Sequence, residues 1–122
     1  MTIAQKRASL ATAIDSRLPA TYRVRAYKPQ TSKPLEGWLE INQTDVEDVT
    51  YGEVRLSVTL VIPIASSRQQ FEKTQDDITV PLISAVTAAG GRAPVVTAVR
   101  EQVGQSDLYS LSCTFLTESE VS

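Results

Sequence analysis

Two groups of carboxylates are the residues in this sequence best suited to chemistry. Asp76 and Asp77 are adjacent, and Asp45, Glu47 and Asp48 fall close together. Carboxylates alone can bind a cation or work as an acid and base pair. Neither group has the spacing of a metal-binding loop or a catalytic pair. We therefore predict that Asp76 and Asp77 form the polar entry to a helix, where the helix dipole favours negative charge, and that Asp45 to Asp48 form a solvated turn or an acidic patch used in an assembly.

Other chemistry-bearing residues are scarce. The chain contains no histidine, one cysteine and no glycine-rich string of the kind that binds phosphate. Without histidine, a Ser-His-Asp or Cys-His arrangement is excluded, and a single cysteine excludes both a cysteine-bound zinc site and an internal disulfide. The alternating apolar residues around Cys113 predict a small buried side chain on a strand. We expect no enzymatic activity, no metal and no cofactor.

Length and composition are those of one globular domain, residues 1–122. Hydrophobic residues make up 42% of the chain and charged residues 21%, with a formal net charge of -2. The charge lacks the basic surplus that drives tight binding to a phosphate backbone. No segment approaches the roughly 20 apolar residues of a membrane span, and the first residues do not read as a signal peptide. We expect neither a membrane partner nor specific nucleic-acid binding.

Hydrophobic periodicity predicts an α+β fold with the element order α-β-β-β-α-β-β. Two helices would pack on one face of a mixed, mostly antiparallel five-stranded sheet. Pro81 leaves two possibilities for the second helix, namely one kinked helix or two shorter segments. Gly90 and Gly91 end it, and residues 118–122 form a polar tail. The predicted elements are a helix at 2–16, strands at 21–27, 38–43 and 53–64, a helix at 67–89, and strands at 94–103 and 108–117.

The polar strand faces carry four arginines, Arg23, Arg25, Arg55 and Arg100. If their strands are neighbours, these side chains form a cationic stripe. Such a stripe is compatible with a solvated face, with a protein interface, in which arginine is enriched, or with a nucleic-acid surface that lacks the usual aromatic residues. They are candidate contacts with a partner or another subunit.

A proline-rich loop at residues 28–37 supplies the other candidate contacts. It exceeds the usual length of a connection, and long loops often carry binding residues. Its candidates are Lys28, Lys33 and Leu35, together with Trp38 just after it, which is either an anchor at the edge of the core or an interface residue.

Several stretches of the chain, read with this element order, resemble the tail terminator, or tail completion, proteins of long-tailed phages. The resemblance covers nearly the whole chain, although no single residue is diagnostic of the family. Pro81 in the second helix departs from the pattern. The stretches are SRLPATYRVRAY, EVRLSVTLVIPI, FEKTQDDITVPLISAVTAAGG and LYSLSCTFLTES.

The resemblance implies a structural virion protein located at the neck of the tail and assembled in the host cytoplasm. Six copies would form a ring that caps the tail tube, stops tail polymerisation and offers a docking surface to the head. The implied partners are other copies of the chain, the tail tube protein and a head-closure or neck protein. Genomic DNA would pass through the lumen without specific binding, and Asp45, Glu47 and Asp48 are candidates for an acidic lumen. The alternatives are a head-tail connector and a small cellular α+β protein-binding domain.

Overall fold

The two helices and five strands follow the predicted order. The structure is a computed structural model that describes residues 2–30, 33–48, 53–104 and 106–120, with the backbone alone at 43–48, 53, 103, 106, 119 and 120. The fold is α+β, with a mixed five-stranded sheet, as predicted. The elements are α1 (Ile3–Arg17), β1 (Arg23–Arg25), β2 (Glu36–Asp48), β3 (Glu53–Ala65), α2 (Arg68–Ala88), β4 (Arg92–Val103) and β5 (Ser106–Glu120).

Local sequence signals set both ends of α1. The Thr2 hydroxyl accepts a hydrogen bond from the N–H of Gln5, and the Gln5 side chain accepts one from the N–H of Thr2, which completes a capping box. Leu18 is the C-cap, because the residue before Pro19 avoids the helical region.

The second helix, α2, continues through Pro81 as one element. Ser67 caps its start, as predicted, by accepting a hydrogen bond from the N–H of Gln70. Proline removes one hydrogen bond inside a helix, but Ile78 and Leu82 on either side of Pro81 are fully packed in the core. Their burial holds both halves against the sheet, so the two-segment alternative is wrong.

The strand order in the sheet is β1-β2-β3-β5-β4. The pair β1 and β2 is parallel and the other three pairs are antiparallel. The long strand β3 is central, as its alternating pattern predicts, and its even-numbered side chains from Val54 to Ile64 are buried. They pack with residues from both helices and with Leu111, Cys113 and Phe115 of β5 in one cluster. One face of the sheet is therefore covered by helices, and we call the other the helix-free face.

Several boundaries differ from the prediction, and β2 runs from Glu36 to Asp48 instead of 38–43. The first strand has three residues instead of seven, because side chains of α1 form hydrogen bonds with backbone groups that a longer strand would use, as described below. The last strand continues to Glu120 in register with β3, so the predicted polar tail is wrong at residues 118–120. The predicted turn at 104–107 is shorter, since Val103 already pairs with Ser106.

Candidate functional surface

The loop before β2 crosses the helix-free face of the sheet. Lys28 forms an ion pair with Glu101 on β4, with 2.7 Å between Nζ and Oε1, and its ammonium lies 5.3 Å from the centre of the Trp38 ring. A Cβ atom at Gly104, in the turn after β4, would lie 3.2 Å from the carbonyl oxygen of Gln30. The loop thus starts at the β1 edge and reaches the opposite edge of the sheet.

Trp38 is the anchor beneath this loop. It is 0% exposed and packs with Val61 in a small cluster separate from the main core. Its indole N–H donates to Glu40 Oε1 at 2.9 Å, so the polar atom is satisfied. This burial favours the anchor alternative.

Leu35 also has a structural position. Its N–H donates to the carbonyl of Pro63 on β3, and its own carbonyl accepts from the N–H of Arg23. These bonds hold Leu35 at a positive φ of 73°, a conformation that non-glycine residues rarely adopt. Lys28 and Lys33 are the loop residues of the predicted set that are exposed.

Two side chains of α1 close the edge of the sheet beside this loop. The Arg7 guanidinium donates to the carbonyls of Ala26 and Leu39 at 2.5 Å each, and it lies 4.1 Å from the centre of the Tyr27 ring. Asp15 accepts from the N–H of Val24 at 2.8 Å. These bonds satisfy backbone groups that a further strand would otherwise pair with.

The four arginines do not form one stripe. Arg23 and Arg25 lie on β1 and Arg100 lies on β4, at opposite edges of the sheet. Arg100 is also on the helix-covered side, where it pairs with Asp107 and stacks on the Tyr109 ring at 4.8 Å from its centre. The stripe was conditional on the strands being neighbours, and the strand order does not meet that condition.

Arg55 belongs to a row of alternating charge across the helix-free face. It lies opposite Asp45 on β2 and opposite Glu118 on β5. Glu118 in turn forms an ion pair with Arg92 on β4. The side chain of Asp45 lies outside the described residues, so only its backbone pairing with Arg55 is given. Among the described side chains, Arg55, Glu118 and Arg92 alternate in sign along the neighbouring strands β3, β5 and β4.

The acidic group Asp45, Glu47 and Asp48 lies on β2, paired with β3, and not in a turn. Its side chains lie outside the described residues. Asp76 and Asp77 are also displaced from their predicted position, since they lie in the middle of α2 and are exposed. The helix dipole acts on terminal residues and does not explain either one.

A threonine ladder lies at the centre of the helix-free face. Asn42 Nδ2 donates to Thr59 Oγ1 at 2.5 Å, and Thr59 Oγ1 lies 3.0 Å from Thr114 Oγ1 on β5. The three side chains link three neighbouring strands without a long charged group. The centre of this face is therefore lined by short polar side chains, of which Thr59 is buried.

Sequence reasoning missed a groove between α2 and β4 on the helix-covered side. It has a volume of about 360 Å³. The Phe71 and Tyr109 rings lie with their centres 5.9 Å apart at its base, and Arg68 pairs with Glu72 at its rim. Both aromatic residues lie on the helix-covered side of the sheet. Their common position, however, depends on α2 packing across β4 and β5. The lining residues are Arg68, Phe71, Glu72, Gln75, Ala98, Val99, Arg100 and Tyr109.

The titratable groups of the described residues do not assemble into a reactive cluster. Across the described ranges, no three histidine, cysteine or acidic residues lie close enough to hold a metal ion. Burial raises the pKa of the Cys113 thiol to about 11, so the thiol stays protonated and unreactive at neutral pH. Burial, and then the charge of Asp77, raise the pKa of Tyr22 above its usual value.

Comparison with known proteins leaves the chain without an assigned family. No protein-family model matches it, and no curated protein matches its sequence. Among the helices that the structure describes, none is long and apolar enough to cross a membrane.

Proposed function

We propose that this chain is a structural virion protein that caps the phage tail tube as a ring of six copies. In this role it stops tail polymerisation and provides the surface on which the head docks. The proposal starts from the resemblance to tail terminator proteins across four stretches of the sequence. The observed element order and the central position of β3 support it, because both follow the pattern on which the resemblance rests.

The observation that carries the proposal is the fixed loop across the helix-free face. Lys28, Leu35 and Trp38 tie the loop to three strands through an ion pair, backbone hydrogen bonds and a buried ring. A preorganised surface of this kind reduces the entropy lost when a partner binds. Beside it lies the polar threonine ladder, which links β3 to β5 through short side chains. These features fit a binding surface better than a catalytic pocket.

A ring also requires two unlike surfaces on each subunit, because its contacts are heterologous. The two faces of this sheet differ in the required way, since helices cover one face and the loop crosses the other. We expect the exposed residues Lys28, Lys33, Arg23 and Arg25 to contact a neighbouring copy or the tail tube protein.

The test is disruption of the gene in the phage or prophage that carries it, followed by negative-stain electron microscopy of the lysate. We expect filled heads without tails beside overlong, unjoined tails, and recovery of joined particles when the wild-type gene is supplied in trans. Unjoined tails of normal length would favour the head-tail connector alternative instead. Normal particles, or a gene outside any phage, would refute the proposal.

The groove between α2 and β4 favours the second candidate, a cellular protein-binding domain. Its volume of about 360 Å³ is near the lower end for ligand sites, and it has an aromatic base with charged rims. A cellular domain would remain a monomer and bind one soluble partner. The lysate experiment separates the two candidates, since loss of a cellular domain leaves the virions intact.

A further inference from the structure

The outer edge of β4 has no strand paired with it in the described sheet. Among the residues that the structure describes, the backbone of β4 forms hydrogen bonds to β5 and to no other element. The β1 edge, by contrast, is closed by Asp15 and Arg7. An uncovered strand edge presents alternating N–H and C=O groups to any extended backbone that approaches it.

The usable part of this edge begins at Val95. The pairing of β4 with β5 shifts between Arg92 and Val95, Ala93 has a positive φ of 52°, and Pro94 lacks an N–H. These features prevent a regular ladder before Val95. Val95 is also one of the large apolar residues left exposed, at 59%. Thr97 and Ala98 beyond it are exposed and small.

We propose that the β4 edges of two copies of this chain pair antiparallel about a two-fold axis at Thr97. In this register Thr97 faces Thr97 of the second copy, and Val95 faces Val99 of the second copy on the helix-free face. On the helix-covered face, Val96 faces Ala98. The two sheets then form one sheet of ten strands, and the exposed Val95 is covered.

Self-complementarity selects this register. Moving the axis to Val96 leaves only Val95 to Thr97 within the regular part of the edge, because Ala98 then lies opposite Pro94, which has no N–H to donate. Moving it to Ala98 places Val95 opposite Glu101, so an apolar side chain meets a carboxylate. The axis at Thr97 pairs apolar with apolar on both faces. The contact is isologous, so it closes as a dimer.

This pairing does not rest on the proposed function. It uses the β4 edge and leaves Lys28, Lys33, Arg23 and Arg25 available for other contacts. It also brings the two grooves beside α2 together on one side of the joined sheet, since a two-fold axis perpendicular to the sheet keeps both sets of helices on the same face.

Sedimentation velocity over a wide concentration range tests the dimer. We expect the mass of the wild-type chain to rise from 13.3 kDa towards twice that value. Thr97→Lys places two ammonium groups opposite each other and should weaken association at least about tenfold. The matched control is Thr12→Lys, which makes the same change at an exposed position on α1 and should associate as the wild type does. Circular dichroism verifies that both variants fold.

Disulfide trapping tests the register. Directly opposed residues of an antiparallel pair have Cα atoms about 4.5–5.5 Å apart, within the range of about 4.4–6.8 Å that a disulfide accepts. Under mild oxidation, Thr97→Cys should crosslink to itself, whereas Val95→Cys should crosslink to Val99→Cys in a mixture faster than either does alone. The buried Cys113 of the wild type serves as the uncrosslinked control.

Three results would overturn the proposal: a wild-type chain that stays monomeric at every concentration, association unaffected by Thr97→Lys, or a dimer without the Val95 to Val99 crosslink. Larger rings that persist in Thr97→Lys would refute the β4 pairing and leave the proposed function standing. Particles that assemble normally without the gene would refute the proposed function and leave the pairing standing.

Discussion

Replacement of Arg7 by methionine should strongly destabilise the fold, although Arg7 lies outside the main apolar core. Its guanidinium donates to two carbonyls, those of Ala26 and Leu39, at the point where β1 ends and β2 continues. Methionine is similar in length but cannot donate, so both carbonyls lose their partner. The stacking on Tyr27 is lost as well.

The size of this effect follows from the contacts. A hydrogen bond to a charged group contributes about 1.5–3 kcal/mol, and a stacked cation at an exposed ring about 0.5–1 kcal/mol. Both hydrogen bonds are partly buried, so water recovers part of the loss. Packing of the methionine side chain offsets a further part. We expect the free energy of unfolding of Arg7→Met to fall by about 2–4 kcal/mol, near the upper end for single substitutions.

Urea denaturation followed by circular dichroism measures this change. With an m-value of about 2 kcal/mol/M, the midpoint should fall by about 1–2 M. The matched control is Arg17→Met on the same helix, where the guanidinium donates to Ala13 within its own last turn and is exposed. We expect its midpoint to change little. Equal midpoints for the two variants would refute the role assigned to Arg7 at the sheet edge.

Three further predictions concern the loop, the thiol and the end of α2. Lys28→Ala should shift the fluorescence of the buried Trp38 to longer wavelength and increase its quenching by acrylamide. Lys73→Ala, on the exposed side of α2, should change neither. Unchanged emission in Lys28→Ala would contradict the anchoring of the loop by Lys28. Burial raises the pKa of Cys113 from 9.0 to about 11, so between those pH values the folded state keeps a proton that the unfolded state loses. The free energy of unfolding should therefore decline as the pH rises from 9.0 to about 11. Cys113→Ala should remove this part of the decline. A Cβ at Gly91 would lie 2.6 Å and 2.8 Å from two core side chains, so Gly91→Ala should lower the melting temperature through a cost of about 1–3 kcal/mol, and an unchanged melting temperature would contradict the packing.

The sequence predicted best the elements with long regular periodicity. The strand β3 alternates over its whole length, and its neighbours on both sides bury the face that the pattern indicates. The start of α2 at Ser67 and the end of α1 at Leu18 also follow from side chains next to them in the sequence. Local sequence patterns were sufficient to predict an element wherever the residues that form its contacts are close together in the chain.

Features that depend on distant partners were not predicted. The short β1 follows from contacts with Arg7 and Asp15 of α1, which no local pattern of the strand reveals. The separation of Arg25 from Arg100 follows from the strand order, which alternation along each strand cannot specify. Asp76 and Asp77 read as a helix start because Pro81 follows them, but burial of the core residues around the proline keeps the helix intact.

The candidate surface was likewise predicted only where it depends on residues close together in the chain. The loop was identified from its prolines and its length, and two of its lysines are exposed as expected. Its path across the helix-free face depends on Glu101, far along the chain, and the burial of Trp38 involves Val61 of β3. The groove beside α2 likewise combines Arg68 with Tyr109, which only the folded sheet brings together.

The central position of β3 also has a consequence for the order of folding. Its partner on one side, β2, precedes it directly, but on the other side Leu60 pairs with Cys113, with α2 and β4 between them in the chain. Contacts between distant residues form slowly, because a long loop must close before they stabilise anything. During synthesis, one hydrogen-bonding edge of β3 therefore stays unpaired until β5 leaves the ribosome. The nascent chain is most prone to aggregation in that interval.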